Sequence, residues 1–222
     1  MVHFPWFYYV GKVIMRVLLF LLTRLQVKDR ENIPSQGPVI IIANHLNIID
    51  PPLLSSSLSR RVIFMAKKEL FRFRVISYLI RNFGSFPVHR GQFDRQASRQ
   101  THQVLAKGLP LAMFPEGKRS PNAQLQSAFP GSALIASHNR GIPIIPVGIS
   151  GTEKLKGKTW LLRRPQITVN IGSPFYLPPT NSKLTKPELV QLTTFMMEHI
   201  AELLPTEYRG SYAGKGIHKH ES

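Results

Sequence analysis

Six short apolar runs, at residues 39–43, 62–65, 85–88, 109–113, 144–149 and 167–171, punctuate the chain and are interspersed with helical stretches at 51–58, 93–107 and 186–204. Runs of this length without polar alternation read as strands buried on both faces, so helices must cover the sheet from two sides. The pattern predicts an α/β fold with a mixed, largely parallel sheet layered by helices. Helix ends are marked: Gly108 follows the second stretch, and Thr185 with Glu188 stand in capping-box spacing before the third. No internal repeat is visible. A chain of 222 residues with 43% hydrophobic content suits a single domain with a real core.

Two of the runs end in chemistry. Directly behind the first stands N-H-L-N-I-I-D, Asn44 to Asp50, at a strand end where ligand crevices open in α/β sheets. An imidazole, His45, with a carboxylate, Asp50, five residues on can take a proton from a hydroxyl. At helical periodicity that offset would turn the two apart, so residues 46–49 must bend as a turn. The same residues admit a plainer reading. Asp50 before Pro51 and Pro52 is also the order of a helix cap, and a lone histidine after a strand is often structural. Behind the fourth run comes F-P-E-G-K-R-S, Phe114 to Ser120, in which Pro115 and Gly117 force a turn. It crowds Glu116, Lys118, Arg119 and Ser120 together, a mixture that suits a phosphate better than solvent. Gly84 to Arg90 reads G-S-F-P-V-H-R, and residues 142–148 read I-P-I-I-P-V-G.

In this order the four segments resemble the glycerolipid acyltransferases, the family that includes 1-acylglycerol-3-phosphate acyltransferase. The family's blocks N-H-x-S-x-x-D, G-x-x-F-x-x-R, F-P-E-G-x-R-S and a proline-containing apolar strand fall on Asn44 to Asp50, Gly84 to Arg90, Phe114 to Ser120 and Ile142 to Gly148. Two departures bear on substrate preference. Asn47 stands where the family usually has serine, and Pro130, in Phe129-Pro130-Gly131, leaves out a basic residue the family often carries there.

The resemblance implies the same α/β fold and an acyl transfer from acyl-CoA or acyl carrier protein to a glycerol hydroxyl, giving phosphatidic acid when the acceptor is 1-acylglycerol-3-phosphate. His45 would be the general base, since imidazole as a type titrates near pH 6.5, and Asp50 would orient it. Arg90 and Arg119 would grip the acceptor phosphate, with Ser120 as a hydroxyl donor and Lys67 as a third cation. Glu116 would orient Arg119 or hold an acceptor hydroxyl, and backbone N–H groups around Gly117 would face the oxyanion. No resident cofactor or metal is expected; the thioester is a co-substrate. The residues agree, in that the chain has no cysteine, no G-x-S-x-G and no H-E-x-x-H. Phe64, Phe83 and Phe86 read as core rather than as an acyl groove. Rival readings are an acceptor such as glycerol-3-phosphate or another lysophospholipid, and a non-catalytic module for anionic lipid or nucleic acid. The latter has no use for F-P-E-G-K-R-S, so no nucleic-acid partner is expected.

The formal net charge of +17 favours anionic surfaces. Basic residues cluster at Arg60, Arg61, Lys67, Lys68, Arg72 and Arg74, with Phe71 and Phe73 between them, and again at 154–164 around Trp160. Residues 4–25 are apolar except for Lys12, Arg16, Thr23 and Arg24, which fall within a sector of about 120° at helical periodicity. Arg16 argues against a spanning helix, and no small-residue cleavage site precedes Gln26. The expectation is an amphipathic interfacial helix over 1–30, with Trp6, Tyr8 and Tyr9 at headgroup depth. An acyltransferase domain over 31–204 and a basic, mobile tail over 205–222 follow. The protein would sit on the cytoplasmic face of a membrane, peripheral or monotopic, against anionic lipid.

Overall fold

The computed structural model describes residues 5–89, 94–157, 159–179 and 184–214. Seven strands form one sheet: β1 (Arg24–Lys28), β2 (Val39–Ala43), β3 (Ile63–Lys67), β4 (Ser85–Val88), β5 (Pro110–Met113), β6 (Ile144–Ser150) and β7 (Gln166–Ile171). Their order is β1-β7-β6-β2-β5-β3-β4, and every neighbouring pair is parallel except β6 with β7. This is the mixed, largely parallel sheet expected from the alternating runs. Central β2 shows why those runs lack polar alternation. Ile40 and Ile42 pack into one apolar layer and Val39, Ile41 and Ala43 into the other, all fully buried. Residues of α4 (Arg95–Ala106), α5 (Gly131–His138) and α7 (Lys186–Glu202) fill the first layer, and those of α1 (Pro5–Leu22) and α2 (Asp50–Ser57) the second. Helix α3 (Arg74–Asn82) precedes β4, and the short α6 (Trp160–Arg163) precedes β7. Because β2 lies between β5 and β6 and parallel to both, the segments that leave these three strands share one end of the sheet.

The N-terminal helix is shorter than expected. It stops at Leu22, the Thr23 hydroxyl donates to the Leu19 carbonyl at 2.6 Å, and Arg24 already pairs with Gln166 in the sheet. The domain therefore takes in residues 24–30, which the sequence reading gave to the helix. As an edge strand with charged ends and alternating exposure, β1 has no apolar run to announce it. Nor is the chain after Pro205 a loose tail over its first half. Two single helical turns, Thr206–Tyr208 and Gly210–Tyr212, sink both tyrosines into the core beside α7, burial that the polar composition conceals. Residues 215–222 lie outside the described residues.

Helix α1 is amphipathic, but its polar stripe faces inward. Tyr8, expected at headgroup depth, is fully buried; its hydroxyl lies 2.8 Å from Ser55 Oγ and accepts the Val62 N–H at 3.1 Å. Lys12 Nζ donates to the Leu58 carbonyl at 2.5 Å, and Arg16 Nε to the Ser56 carbonyl at 2.7 Å. Both carbonyls belong to the end of α2, where unpaired C=O groups and the negative pole of the helix attract cations. Burial, with the charges of Arg16 and Arg30, draws Lys12 down to about 8. Lys12→Met should destabilise the fold by roughly 1–3 kcal/mol, because it strips the Leu58 carbonyl of its main buried donor. Urea unfolding at neutral pH measures it, and native stability would show that Arg16 alone suffices.

Candidate active site

Asn44 fixes the exit from β2. Its side-chain amide donates to the Ile149 carbonyl at 2.8 Å and accepts the Ile149 N–H at 2.7 Å, continuing the pairing with β6 beyond the strand. The next residue is held by the backbone on both sides: the His45 N–H donates to Glu116 Oε1 at 2.8 Å, and its carbonyl accepts the Ser120 N–H at 2.7 Å. Its ring stacks on Phe114 with centroids 4.3 Å apart. Residues 46–49 bend as the offset requires, closed by the Asp50 N–H on the Asn47 carbonyl at 3.1 Å. That turn brings Asp50 Oδ2 to 2.8 Å from His45 Nδ1.

Four donors converge on the fully buried Asp50 carboxylate. Oδ2 accepts the Leu46 N–H at 2.6 Å and the Asn47 N–H at 2.7 Å besides the imidazole, and Oδ1 accepts the Thr152 hydroxyl at 2.7 Å. Although Asp50 opens α2, these partners all lie outside that helix, so the cap reading does not describe it. A carboxylate oxygen accepts, so Nδ1 carries the proton, and in the neutral imidazole Nε2 then presents a lone pair. Among the described residues Nε2 has no hydrogen-bond partner, and the His45 residue is 9% exposed.

The second segment serves the first in a way the sequence reading did not foresee. Glu116 is fully buried; Oε1 takes the His45 N–H and Oε2 the Gln126 N–H at 3.0 Å. Burial pushes it up to about 7 against the pull of those two bonds, and the nearby Asp50 charge adds to the rise. It is a strut under His45, not a partner for Arg119 or an acceptor hydroxyl. Ser120 is also buried, its hydroxyl donating to the Gln124 carbonyl at 2.7 Å, which removes it as a phosphate donor. The Gly117 N–H closes a turn on the Phe114 carbonyl at 3.0 Å with φ +64, so it is not aimed at an oxyanion. Arg119 is exposed, one residue from the N–H that holds His45, and no hydrogen bond or ion pair engages it among the described residues. Lys67 ends β3 at the same end of the sheet, exposed and 3.6 Å from Glu69, while the adjacent Lys68 Nζ lies 2.9 Å from His89 Nε2. Arg90 lies outside the described residues.

Beside Phe114 a cavity of about 470 Å³ opens between the sheet and α4, α5 and α7. Met65, Val88, Met113, Leu134 and Leu189 give it an apolar wall, with His89 and Lys186 among its polar lining. Phe64 and Phe86 are core, as expected, and Phe83 packs on Phe7 and Tyr8 of α1.

A model of the acyltransferase family matches residues 24–150, from β1 to the end of β6 and more than half of the chain. The chain belongs to the acyltransferase family. It is 35% identical over 149 residues to the 1-acyl-sn-glycerol-3-phosphate acyltransferase of Streptococcus pneumoniae, covering 66% of this chain and 53% of that one. The protein of the same description from Bacillus subtilis is 26% identical over 191 residues, covering 85% of this chain and 92% of that one. The crystal structure of the 1-acyl-sn-glycerophosphate (LPA) acyltransferase PlsC from Thermotoga maritima superposes with a TM-score of 0.67 at 26% identity, covering 88% of this chain and 78% of that one. The chain spans about half the length of several curated relatives it matches. In this chain the amide of Asn47 has a use: Nδ2 donates to the Thr152 carbonyl at 2.9 Å, so Asn47 and Asp50 both tie this turn to the loop after β6. Thr152 went unnoticed in the sequence; its only signal is a position just past the β6 tip.

Proposed function

We propose that this acyltransferase moves a fatty acyl group from acyl-CoA or acyl carrier protein to the sn-2 hydroxyl of 1-acylglycerol-3-phosphate, giving phosphatidic acid. The observation that carries the reading is a His45 ring pinned through Nδ1 to a buried Asp50, with Nε2 unengaged at a strand tip beside an apolar cavity. Nε2 takes the acceptor hydroxyl proton as its oxygen attacks the thioester carbonyl, and Asp50 stabilises the imidazolium. When the C–S bond breaks, the imidazolium returns the proton to the departing thiolate. Arg119 and Lys67, with Arg90, hold the phosphate, and the cavity, within the usual range for ligand pockets, takes the acyl chain. No step calls on a resident cofactor. The test is thiol release by the purified chain with 1-acylglycerol-3-phosphate and each thioester, against glycerol-3-phosphate and a lysophospholipid as rival acceptors. Release is expected fastest with 1-acylglycerol-3-phosphate; no acceptor-dependent release with either thioester refutes the proposal.

The same reading puts the enzyme on the cytoplasmic face of a membrane, peripheral or monotopic, against anionic lipid. With its polar stripe turned to the protein, α1 exposes Trp6, Val13, Ile14, Val17 and Phe20, the last at 74%. Val75 and Tyr78 of α3 are exposed as well. Among the described residues no helix is long and apolar enough to cross a membrane, which suits a helix lying in the interface. Arg60 is not part of the basic surface, since its guanidinium bonds the carbonyls of Pro34, Gly37 and Gly108. The double variant Val13→Asp with Phe20→Asp should weaken binding to phosphatidylglycerol vesicles at least about tenfold, given roughly 1.5–3 kcal/mol for each large apolar side chain withdrawn from water. Co-sedimentation reads it, and unchanged partitioning would remove α1 as the contact.

A further inference from the structure

A closed circuit of contacts runs around the His45–Asp50 pair, and its far side is the segment after Pro205. Asp50 Oδ1 accepts the Thr152 hydroxyl at 2.7 Å. Gly151 sets Thr152 in place, with φ +90 and so close to β7 that a Cβ would stand 2.1 Å from the Gln166 carbonyl oxygen. The following residue, Glu153, accepts the Tyr208 hydroxyl on Oε1 at 2.7 Å. Tyr208 in turn accepts the Leu125 N–H on its carbonyl at 2.8 Å. Gln126, next in the chain, donates to Glu116 Oε2, and Glu116 Oε1 holds the His45 N–H. His45 Nδ1 closes the ring on Asp50 Oδ2. Each step is a hydrogen bond or a shared peptide link. Burial and the bond to Glu153 raise the Tyr208 hydroxyl above the ordinary tyrosine value, so it stays a donor. Gly210, at φ +53, lets this segment press on Leu125, whose carbonyl a Cβ would meet at 2.7 Å.

We propose that Tyr208 is a positioning residue for the reaction: by tying the loop after β6 to the loop after β5, it holds Thr152 on Asp50 and so keeps the carboxylate aimed at His45. The inference rests on the acyl-transfer role of that pair. Tyr208 is not among the residues that line the cavity, and its hydroxyl reaches Asp50 only through Glu153 and Thr152.

Tyr208→Phe removes the hydroxyl and leaves the ring in the core. It should lower kcat about tenfold while the acceptor KM moves less than twofold. In a Thr152→Val background, where the link to Asp50 is already cut, the same change should lower kcat less than twofold. A second readout needs no turnover: Tyr208→Phe should speed deuterium exchange in a peptide covering residues 44–50, where the Leu46 and Asn47 amides are held by Asp50, and leave α4 unchanged. If the native chain shows no acyl transfer, the functional reading fails and exchange alone decides Tyr208. Glu153→Ala breaks the same bond from a half-buried position and replaces Tyr208→Phe if that variant folds poorly. Unchanged exchange at 44–50, native kcat in an active protein, or an equal loss in both backgrounds overturns the proposal.

Discussion

His45→Ala is expected to lower kcat for acyl transfer by about 10²–10⁴-fold, the span a positioned general base contributes, while leaving the fold intact. The two effects separate because His45 is anchored by its backbone. Its N–H and carbonyl bonds to Glu116 and Ser120 do not involve the imidazole. The buried Asp50 is not stranded either, since the Leu46 N–H, the Asn47 N–H and the Thr152 hydroxyl still donate to it. Only the stacking on Phe114 and one of four donors are lost. Thiol release and a thermal melt give the two numbers. Turnover within tenfold of the native enzyme would remove His45 from the role of base.

The sheet was legible because β2, β5 and β6 are covered on both faces and so contain little but apolar residues. Helices α3 and α5 were not. In α3 the mostly apolar run of residues 75–80 stands between Arg74 and Arg81 on a largely exposed helix, and α5 is a short stretch rich in small residues. The His45–Asp50 pair could be read because both partners lie in one segment and the turn between them is short. Thr152 could not, because its contact with Asp50 depends on β6 lying next to β2. Glu116 shows a different limit. A charged residue on a turn reads as exposed, and only the adjacency of β5 and β2 reveals that it points inward at His45. For α1 the polar stripe was visible but not its direction. Periodicity defines the stripe; the cation-seeking end of α2 decides that it faces the protein.

Asp50→Asn should lower kcat by about 30- to 1000-fold with an unfolding temperature close to native, whereas Asp50→Ala should lower both. The His45 Nδ1–H, the Leu46 N–H and the Asn47 N–H all point at the position of Oδ2, so the amide of the asparagine variant must place its oxygen there. Its NH₂ then faces Thr152 Oγ1, and a hydroxyl accepts as readily as it donates. The hydrogen bonds and the imidazole tautomer survive, and the negative charge alone is removed. Two unit charges about 4 Å apart at an effective dielectric of about 20 attract by about 4 kcal/mol, which with full proton transfer corresponds to about 10³-fold and with half transfer to about 30-fold. In Asp50→Ala the Leu46 and Asn47 amides lose their acceptor, at about 1–3 kcal/mol for each donor left buried, so the turn itself loosens. Comparing kcat and melting temperature for the two variants separates charge from scaffold. A folded Asp50→Asn enzyme with native kcat would mean that the carboxylate serves only as the acceptor that shapes residues 46–49, and that the imidazolium is stabilised elsewhere.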